Sequence, residues 1–233
     1  KKCRKSFVKV ETWVGLCDTE KGACFKPEIY SVGSGSVVIY GNTKKVLTAA
    51  HVCDIGPMGK KIISNGGKIF MKVVDRDGKS HIAELFRINN KIDVCLLKTP
   101  TLTAPALKIS VKKPEYAEKV YNIASPMGIS DGKMVPVFEG LFFGNKGDRA
   151  YYNIPAIGGS SGSPILNVKG ELVGMIHSVH FRFHHISLSA THTDLWNFLD
   201  SSRSHASIIQ KLCLRSGCGL SHAEGFLQEY DTY

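Results

Sequence analysis

A short loop rich in glycine and serine is the segment of this chain best suited to covalent chemistry. Residues 157–165 read Ile-Gly-Gly-Ser-Ser-Gly-Ser-Pro-Ile. Glycines on both sides of a serine permit a tight backbone, in which the N–H groups of Gly159 and Ser161 point the same way, into a pocket for a developing oxyanion. The apolar segment that follows predicts a strand behind the loop. Ser161 is therefore a candidate nucleophile.

Two further segments offer a base and an acid at the ends of predicted strands. Residues 47–52 read Leu-Thr-Ala-Ala-His-Val, so His51 follows a strand whose small last residues leave room beside an imidazole. Residues 90–97 read Asn-Lys-Ile-Asp-Val-Cys-Leu-Leu, and Asp93 opens an otherwise apolar strand. A carboxylate beside a buried segment needs a hydrogen-bond donor, which an imidazole N–H can supply. Taken alone, each segment is also typical of a structural histidine or a strand-capping aspartate.

Strands must position these residues, because β-branched and aromatic segments alternate with Gly, Asn and Asp turns along most of the chain. Helices are predicted only late, through Leu195 and Leu199 with Thr193 or Asp194 as the cap, and over Ser204–Leu214. Residues 111–116 are typical of a connector between two sets of strands. The predicted strands are Phe7–Val14, Ser36–Tyr40, Lys45–Ala49, Ile69–Val74, His81–Ile88, Val94–Lys98, Lys119–Ala124, Val135–Phe143, Ile165–Asn167 and Leu172–His177.

Composition narrows the partners that we expect. The formal net charge is +10, yet the basic residues are scattered and form no recognisable nucleic-acid-binding module, so we expect no nucleic-acid partner. No run of about 18 apolar residues predicts a membrane segment in this chain. The amino terminus has neither an initiating Met nor an apolar signal segment, so we expect a processed or excised fragment. Its localisation and oligomeric state stay open.

Cysteines and histidines give no metal signature. The seven cysteines form no CxxC pair and match no zinc framework. Cys17 with Cys24, or Cys213 with Cys218, could close short loops in an oxidising compartment, whereas Cys95 is expected to be a small buried hydrophobe. The histidines between residues 177 and 192 alternate with apolar residues and predict a strand with a polar face. We therefore expect no metal site.

Taken together, the three segments resemble the trypsin/chymotrypsin superfamily of serine peptidases. That family's boxes are T-A-A-H, D-[IVL]-[AC]-L-L and G-x-S-G-x-P, and residues 48–51, 93–97 and 159–164 match them in the family's order. Residues 34–39, 122–128 and 167–174 are similar to segments of HtrA-like and phage trypsin-like peptidases. The resemblance covers roughly residues 30–200.

This resemblance implies an all-β fold of two packed six-stranded antiparallel β-barrels followed by helices. Residues 1–110 would form the barrel with His51 and Asp93, residues 111–200 the barrel with Ser161, and residues 201–233 a helical tail. It also implies a serine endopeptidase acting on polypeptides through an acyl-enzyme, without metal or organic cofactor. His51 would be the base, Asp93 its orienting partner, and the N–H groups of Gly159 and Ser161 the oxyanion hole.

Two departures separate the chain from digestive members of that family. Ser160 replaces the aspartate that pairs with a freed amino terminus, and no Ile-Val-Gly-Gly sequence occurs, so we expect no activation by that ion pair. Cys53, beside the histidine, has no strand partner where those enzymes would provide one. Both departures favour an HtrA-like, phage or viral enzyme.

Specificity is predicted from residues that the resemblance brings to the substrate. Pro155, six residues before Ser161, takes the place of the pocket-floor residue and favours a small or aliphatic P1 side chain. Residues 174–178, Gly-Met-Ile-His-Ser, resemble the G-x-H segment of viral polyprotein proteases that cleave at Gln or Glu, with one extra residue before the histidine. His177 and Ser178 are therefore candidate substrate-binding residues. Two alternatives therefore stay open, a viral polyprotein protease and a catalytically silent module used for binding.

Overall fold

Two closed antiparallel β-barrels make up the computed structural model, which describes residues 3–15, 17–18, 23–24, 26–131 and 134–200. Fourteen strands are assigned among these residues. In chain order they are β1 (Phe7–Gly15), β2 (Cys17–Asp18), β3 (Ala23–Cys24), β4 (Glu28–Tyr40), β5 (Thr43–Thr48), β6 (Lys68–Val74), β7 (Ser80–Asn89), β8 (Val94–Lys98), β9 (Lys119–Ile123), β10 (Val137–Lys146), β11 (Arg149–Tyr152), β12 (Pro164–Asn167), β13 (Leu172–His180) and β14 (Phe183–Ala190).

Each barrel contains six strands, as the family resemblance implied. The first has the order β1-β4-β5-β8-β7-β6, and β6 pairs with β1 to close it. The second has the order β10-β11-β14-β13-β12-β9, closed by the pairing of β9 with β10. Strands β2 and β3 form a separate two-stranded sheet. The all-β prediction of two six-stranded barrels is confirmed.

Alternating apolar side chains fill both barrels, because every second residue of a strand points inward. Val8, Val37 and Leu47 are fully buried in the first barrel, and Tyr152 and Ile165 in the second. The burial of such side chains is the main favourable term in folding, at about 1.5–3 kcal/mol for each large apolar side chain. These rigid barrels carry the loops described below.

The connection between the barrels runs from β8 to β9 and is tied to both. Leu107 donates its N–H to the carbonyl of Val37 in the first barrel, at 2.8 Å. Three residues later, Ser110 donates to the carbonyl of Leu172 in the second barrel, at 2.9 Å. The predicted connector at residues 111–116 contains no helix or strand and follows these contacts.

Helices are more frequent than the sequence predicted. Helix α1 (Ala50–Cys53) and helix α2 (Gly56–Ser64) both lie in the first half of the chain, so the prediction of helices only late was wrong. Helix α3 (His192–Leu199) confirms the late helix, but its cap is Thr191, whose hydroxyl oxygen accepts from the N–H of Asp194. The predicted Ser204–Leu214 helix and the 201–233 tail lie outside the described residues.

Of the strands in the second barrel, β11 was missing from the prediction, and β14 was expected only as a histidine-rich strand with a polar face. Strand β11 is only four residues long, and β14 is rich in histidine and serine. Strand β4 begins eight residues earlier than its predicted start at Ser36. The histidine-containing segment after residue 177 does form strands, as its alternation predicted.

Candidate active site

His51 and Asp93 lie together at the mouth of the first barrel. Helix α1 follows β5 after one residue, and Asp93 directly precedes β8, which pairs with β5. The carboxylate of Asp93 accepts two hydrogen bonds from His51, one from the backbone N–H at 3.0 Å and one from ring Nδ1 at 2.8 Å. An ionised carboxylate only accepts hydrogen bonds, so Nδ1 carries the hydrogen and Nε2 is left as the basic nitrogen.

Asp93 adopts an unusual backbone conformation with φ of 54°. A non-glycine residue in this left-handed region is strained unless the surroundings hold it there. Asn89 supplies part of that support, since its side-chain oxygen accepts from the N–H groups of Lys91 at 3.0 Å and Ile92 at 3.4 Å. The turn before β8 is thereby set, and the carboxylate faces the histidine.

The electrostatics of Asp93 favour its ionised form. Burial by itself would raise its pKa, but the two hydrogen bonds from His51 and the electrostatic interactions with His51 and His177 outweigh burial and lower the pKa below the ordinary value. Asp93 is therefore an anion at neutral pH. An anion beside Nδ1 stabilises the imidazolium that forms when Nε2 takes a proton.

The glycine-serine loop presents one accessible serine. Ser160 is 1% exposed and Ser163 is fully buried, whereas Ser161 between them is half-buried. The hydroxyl of Ser163 accepts from the side-chain amide of Asn122 at 2.8 Å, and that of Ser160 accepts from the N–H of Ile157 at 3.3 Å. The hydroxyls of both neighbouring serines are thus buried and hydrogen-bonded within the protein. Ser161 is therefore the serine of this loop that a substrate can reach.

Two backbone N–H groups of the same loop are available for an anion. Within the part of the chain that the structure describes, no group accepts a hydrogen bond from the N–H of Gly159 or of Ser161. Gly159 has φ of 91° and Gly162 has φ of 88°, conformations that favour glycine. A Cβ on Gly162 would lie 2.0 Å from the carbonyl oxygen of Ser34, so only glycine fits there.

Gly33 of β4 lies between the glycine-serine loop and helix α1, which contains His51. A Cβ at this position would lie 2.9 Å from both methyl groups of Val52, the residue after His51, and 3.2 Å from the carbonyl oxygen of Ser161. The glycine thus allows the backbones of the two barrels to approach each other closely at this point. The three candidate residues His51, Asp93 and Ser161 therefore gather where the barrels meet.

His177 of β13 faces Asp93 from the second barrel. Its Nδ1 lies 3.8 Å from Oδ2 of Asp93, and its side chain is only 9% exposed. Burial lowers its pKa, with Arg149 and His51 acting in the same direction and Asp93 opposing them. His177 is thus a neutral imidazole behind the carboxylate at neutral pH.

A cavity of about 490 Å³ lies beside His51 and Asp93. Ser178 lines it, while Ser161 and Pro155 are absent from its lining. Its polar character comes from charged groups of both barrels. The cavity is lined by Ala50, His51, Asp54, Asn90, Lys91, Ile92, Asp93, Asp148, Arg149, His177, Ser178 and Ala190. Pro155 is half-buried between the buried residues Ile154 and Ala156, so its surroundings in the chain are apolar.

Cys53 and Cys95 form a disulfide, which corrects two predictions. Cys95 was expected to be a buried thiol, and Cys53 to lack a strand partner, but Cys95 of β8 is that partner. The fully buried Cys95 and the end of helix α1 come together because β5 and β8 are neighbours in the barrel. Strands β2 and β3 place Cys17 opposite Cys24 in register. Cys213 and Cys218 lie outside the described residues.

Among the described residues, no group of three or more His, Cys, Asp or Glu side chains is arranged to hold a metal ion. The histidines of the late strands instead have separate surroundings. His192 bonds to the carbonyl of Ser110 through Nε2 at 2.9 Å, and the ring of His185 contacts that of Phe183. No helix within the described ranges is both long and apolar enough to cross a membrane.

Sequence reasoning missed several residues that shape the site. Asn89 lies four residues before the strained Asp93 and could have been found, because Asn is a common turn former. Arg149, in contrast, reaches the cavity only through the β10–β11 hairpin, and no local signal marks it. The contact between Ser34 and the glycine-serine loop spans more than a hundred residues and leaves no trace in local spacing.

Comparison with known proteins identifies the family of this chain. A family model of the trypsin-like peptidase domain matches residues 33–175, more than half of the chain. The chain is 27% identical over 158 residues to a protein of Synechocystis sp. that carries the name serine protease HhoB. That match covers 64% of this chain and 35% of HhoB, so the chain spans about a third of the relative's length.

Solved structures with the same fold include two bacterial proteins. The serine endoprotease from Yersinia pestis superimposes with a TM-score of 0.61 at 18% identity, over 93% of this chain and 65% of that one. Rv3671c from M. tuberculosis, in an inactive form, gives a TM-score of 0.59 at 16% identity, over 81% and 82% of the two chains. At these identities the likeness shows the fold alone. None of the three relatives is viral or from a phage, so they lend no support to that predicted origin.

Proposed function

This chain belongs to the trypsin-like peptidase family and is a serine endopeptidase domain, and from this premise we propose that Ser161, His51 and Asp93 form its catalytic triad. The reaction is the hydrolysis of a peptide bond through an acyl-enzyme on Ser161. The N–H groups of Gly159 and Ser161 form the oxyanion hole. The HtrA-like relatives favour this reading over a polyprotein protease of viral type.

One observation carries the proposal. Asp93 binds both the backbone and the ring Nδ1 of His51, which leaves Nε2 as the base. Ser161 is the accessible serine of the loop, and Gly33 lies between its carbonyl and Val52, the residue after His51. A nucleophile, a base and an orienting anion are the three parts of nucleophilic hydrolysis. Two unpaired N–H groups beside the nucleophile supply the fourth.

The chemistry follows from these positions. Nε2 of His51 accepts the hydroxyl proton as Oγ of Ser161 attacks the substrate carbonyl, and the negative oxygen is stabilised by the two N–H groups. The imidazolium, held by Asp93, then donates the proton to the leaving amine and leaves an acyl-serine. Water repeats the sequence with His51 as base and restores the free hydroxyl. Every step uses groups of this chain, and the proposal requires no metal or organic cofactor.

We assign the substrate as a polypeptide with a small or aliphatic P1 side chain. The proline at position 155 and its apolar neighbours Ile154 and Ala156 support an uncharged pocket floor. Ser178, on the wall of the cavity beside His51, is proposed to contact substrate residues next to the cleaved bond. The burial of His177 against Asp93 favours a role toward that carboxylate over recognition of a Gln or Glu side chain.

A fluorophosphonate probe tests the proposal, because it reacts with a serine only when a base and an oxyanion hole activate that serine. We expect the wild-type chain to label once, at Ser161, and to digest an unfolded protein such as casein. Ser161→Ala should lose both properties, with activity reduced by several orders of magnitude. Its thermal unfolding should be nearly unchanged, since the side chain is half-exposed.

Ser80→Ala, at an exposed serine of β7, is the matched control and should label and digest like the wild type. Digestion by Ser161→Ala would overturn the assignment of the nucleophile. A wild-type chain that is folded but neither labels nor digests would identify a silent module used for binding. Cleavage rates of peptides with Ala, Val, Lys or Gln at P1 then measure which side chain the pocket prefers. A preference for Lys or Gln would refute the apolar floor.

A further inference from the structure

Every polar group of Ser34, a residue of β4, forms a hydrogen bond, and two of these bonds join the first barrel to the glycine-serine loop. Its N–H donates to the carbonyl of Ser161 at 2.7 Å, and its hydroxyl donates to the carbonyl of Gly159 at 2.8 Å. The hydroxyl also accepts from the N–H of Ser125 at 2.9 Å, while the carbonyl of Ser34 accepts from the hydroxyl of Thr48 at 2.8 Å. Ser34 is fully buried.

These contacts complete the restraint of the loop backbone. The carbonyl of Gly158 accepts from the N–H of Met127 at 2.7 Å, and that of Ser160 from the N–H of Ser163 at 3.0 Å. Both of those donors belong to the second barrel. Within residues 158–161, the remaining two carbonyls are the ones that Ser34 binds. Four consecutive peptide groups are therefore fixed, two of them from the opposite barrel.

Two hydrogen bonds hold the peptide group between Gly159 and Ser160: its carbonyl accepts from the hydroxyl of Ser34, and its N–H donates to the carbonyl of Ile157 at 2.9 Å. Gly159 has φ of 91° and no side chain to restrict rotation of its backbone. If the hydroxyl were removed, the carbonyl of Gly159 would lose its partner in a buried place and could gain one only by rotating. Such a rotation would move the N–H groups on either side of it, those of Gly159 and Ser161.

We propose that Ser34 is a positioning residue for peptide hydrolysis, whose hydroxyl holds the oxyanion-binding backbone of the second barrel from the first. The inference rests on the proposed function, because it takes the N–H groups of Gly159 and Ser161 as the oxyanion hole. It extends that function by making the geometry of the hole depend on the contact between barrels. Ser34 itself does not touch the substrate.

Ser36 offers a matched control on the same strand. It lies two residues further along β4, is also fully buried, and its hydroxyl has no hydrogen-bond partner within the described residues. Ser34→Ala and Ser36→Ala therefore remove the same atom from the same strand at the same burial. Only the first change releases the carbonyl of Gly159 and the N–H of Ser125.

The test measures kcat, KM and the inhibition constant of a peptide boronic acid for both variants, with concentrations set by active-site titration. We expect Ser34→Ala to lower kcat by about 10- to 100-fold with KM within about twofold, because misplaced oxyanion donors weaken the transition state and leave ground-state binding. Affinity for the boronic acid should fall by the same factor. Ser36→Ala should keep all three values within about twofold of the wild type.

Ser34→Cys serves as a second variant of similar volume with a weaker donor, and its kcat should lie between those of Ser34→Ala and the wild type. Equal kcat per titrated site in Ser34→Ala and Ser36→Ala would overturn the proposal, as would a loss in Ser34→Ala that appears only in KM. If Ser34→Ala fails to fold, the Cys variant decides by the same criterion. Failure of the proposed function is separate, since it would appear as activity in Ser161→Ala.

Discussion

The disulfide between Cys53 and Cys95 joins the same two segments as the hydrogen bond between His51 and Asp93. Each cysteine follows a member of that pair by two residues, the first within helix α1 and the second within β8. A covalent link and a charge-assisted hydrogen bond thus hold the same helix against the same strand. Thr12 of β1 adds a third link, because its hydroxyl donates to the carbonyl of Val52 at 3.0 Å.

Replacing Cys53 and Cys95 together by alanine should lower the free energy of unfolding by about 2–4 kcal/mol. The disulfide spans 42 residues, and its loss frees that loop in the unfolded chain. Urea denaturation under oxidising conditions measures the change, and a reductant should bring the wild type toward the variant. Cys3→Ala, at the free thiol of the described residues, is the control. Equal midpoints for the double variant and the oxidised wild type would contradict the prediction.

Changing Gly162 to alanine should destabilise the chain by about 3 kcal/mol or more. The φ of 88° is unfavourable for alanine, and the new Cβ would collide with the carbonyl oxygen of Ser34 and with the hydroxyl of Thr48. Gly158→Ala is the matched control, since a Cβ there meets nothing within 4 Å. Thermal unfolding measures the stability of both variants. If Gly158→Ala were as unstable as Gly162→Ala, the collision would not be the cause of the destabilisation.

Asp93→Asn should reduce kcat by about 10³- to 10⁴-fold with a small effect on KM, because an amide can offer its NH₂ to His51 and fix the wrong tautomer. Steady-state kinetics at pH 7–8 measure the loss. Asp54→Asn, at a neighbouring carboxylate on the cavity wall, is the control and should keep most of the activity. Comparable kcat in wild type and Asp93→Asn would remove Asp93 from the triad.

The same variant has a predicted pH dependence of stability. The pKa of Asp93 is lower in the folded chain than in the unfolded one, so its contribution to stability is present above the ordinary pKa of about 4 and is lost as the pH falls through the lower folded value. The stability difference between wild type and Asp93→Asn should therefore shrink below about pH 4. A difference that stays constant from pH 7 to pH 3 would contradict this.

His177 should make the fold sensitive to mild acid. Its pKa is lowered by burial, assisted by Arg149 and His51 and opposed by Asp93, so the unfolded chain takes up a proton near the ordinary pKa of about 6.5 while the folded chain does not. Stability is then lost as the pH falls from 7.5 to 5.5. His177→Gln should lose less over that range, and the exposed His185→Gln should behave like the wild type. Urea midpoints at the two pH values measure both.

Much of the fold could be predicted from the sequence. Short apolar segments bounded by Gly, Asn and Asp turns mark strands such as β6, β7 and β8, because β-branched and aromatic side chains favour an extended backbone and turn residues end each segment. Helix α2 was not predicted, since its nine residues contain two glycines and a proline, which are poor helix formers.

The sequence by itself determined the candidates His51, Asp93 and Ser161, because their three segments together match the boxes of the trypsin/chymotrypsin superfamily in the same order, although each segment alone also fits a structural role. Only the tertiary structure decided which groups surround them. These contacts join residues that are far apart in the chain: the disulfide of Cys53 with Cys95, the approach of His177 to Asp93, and the hydrogen bond from Ser34 to Gly159. Such contacts arise when barrels close and dock, and their energies depend on distances that no local pattern encodes.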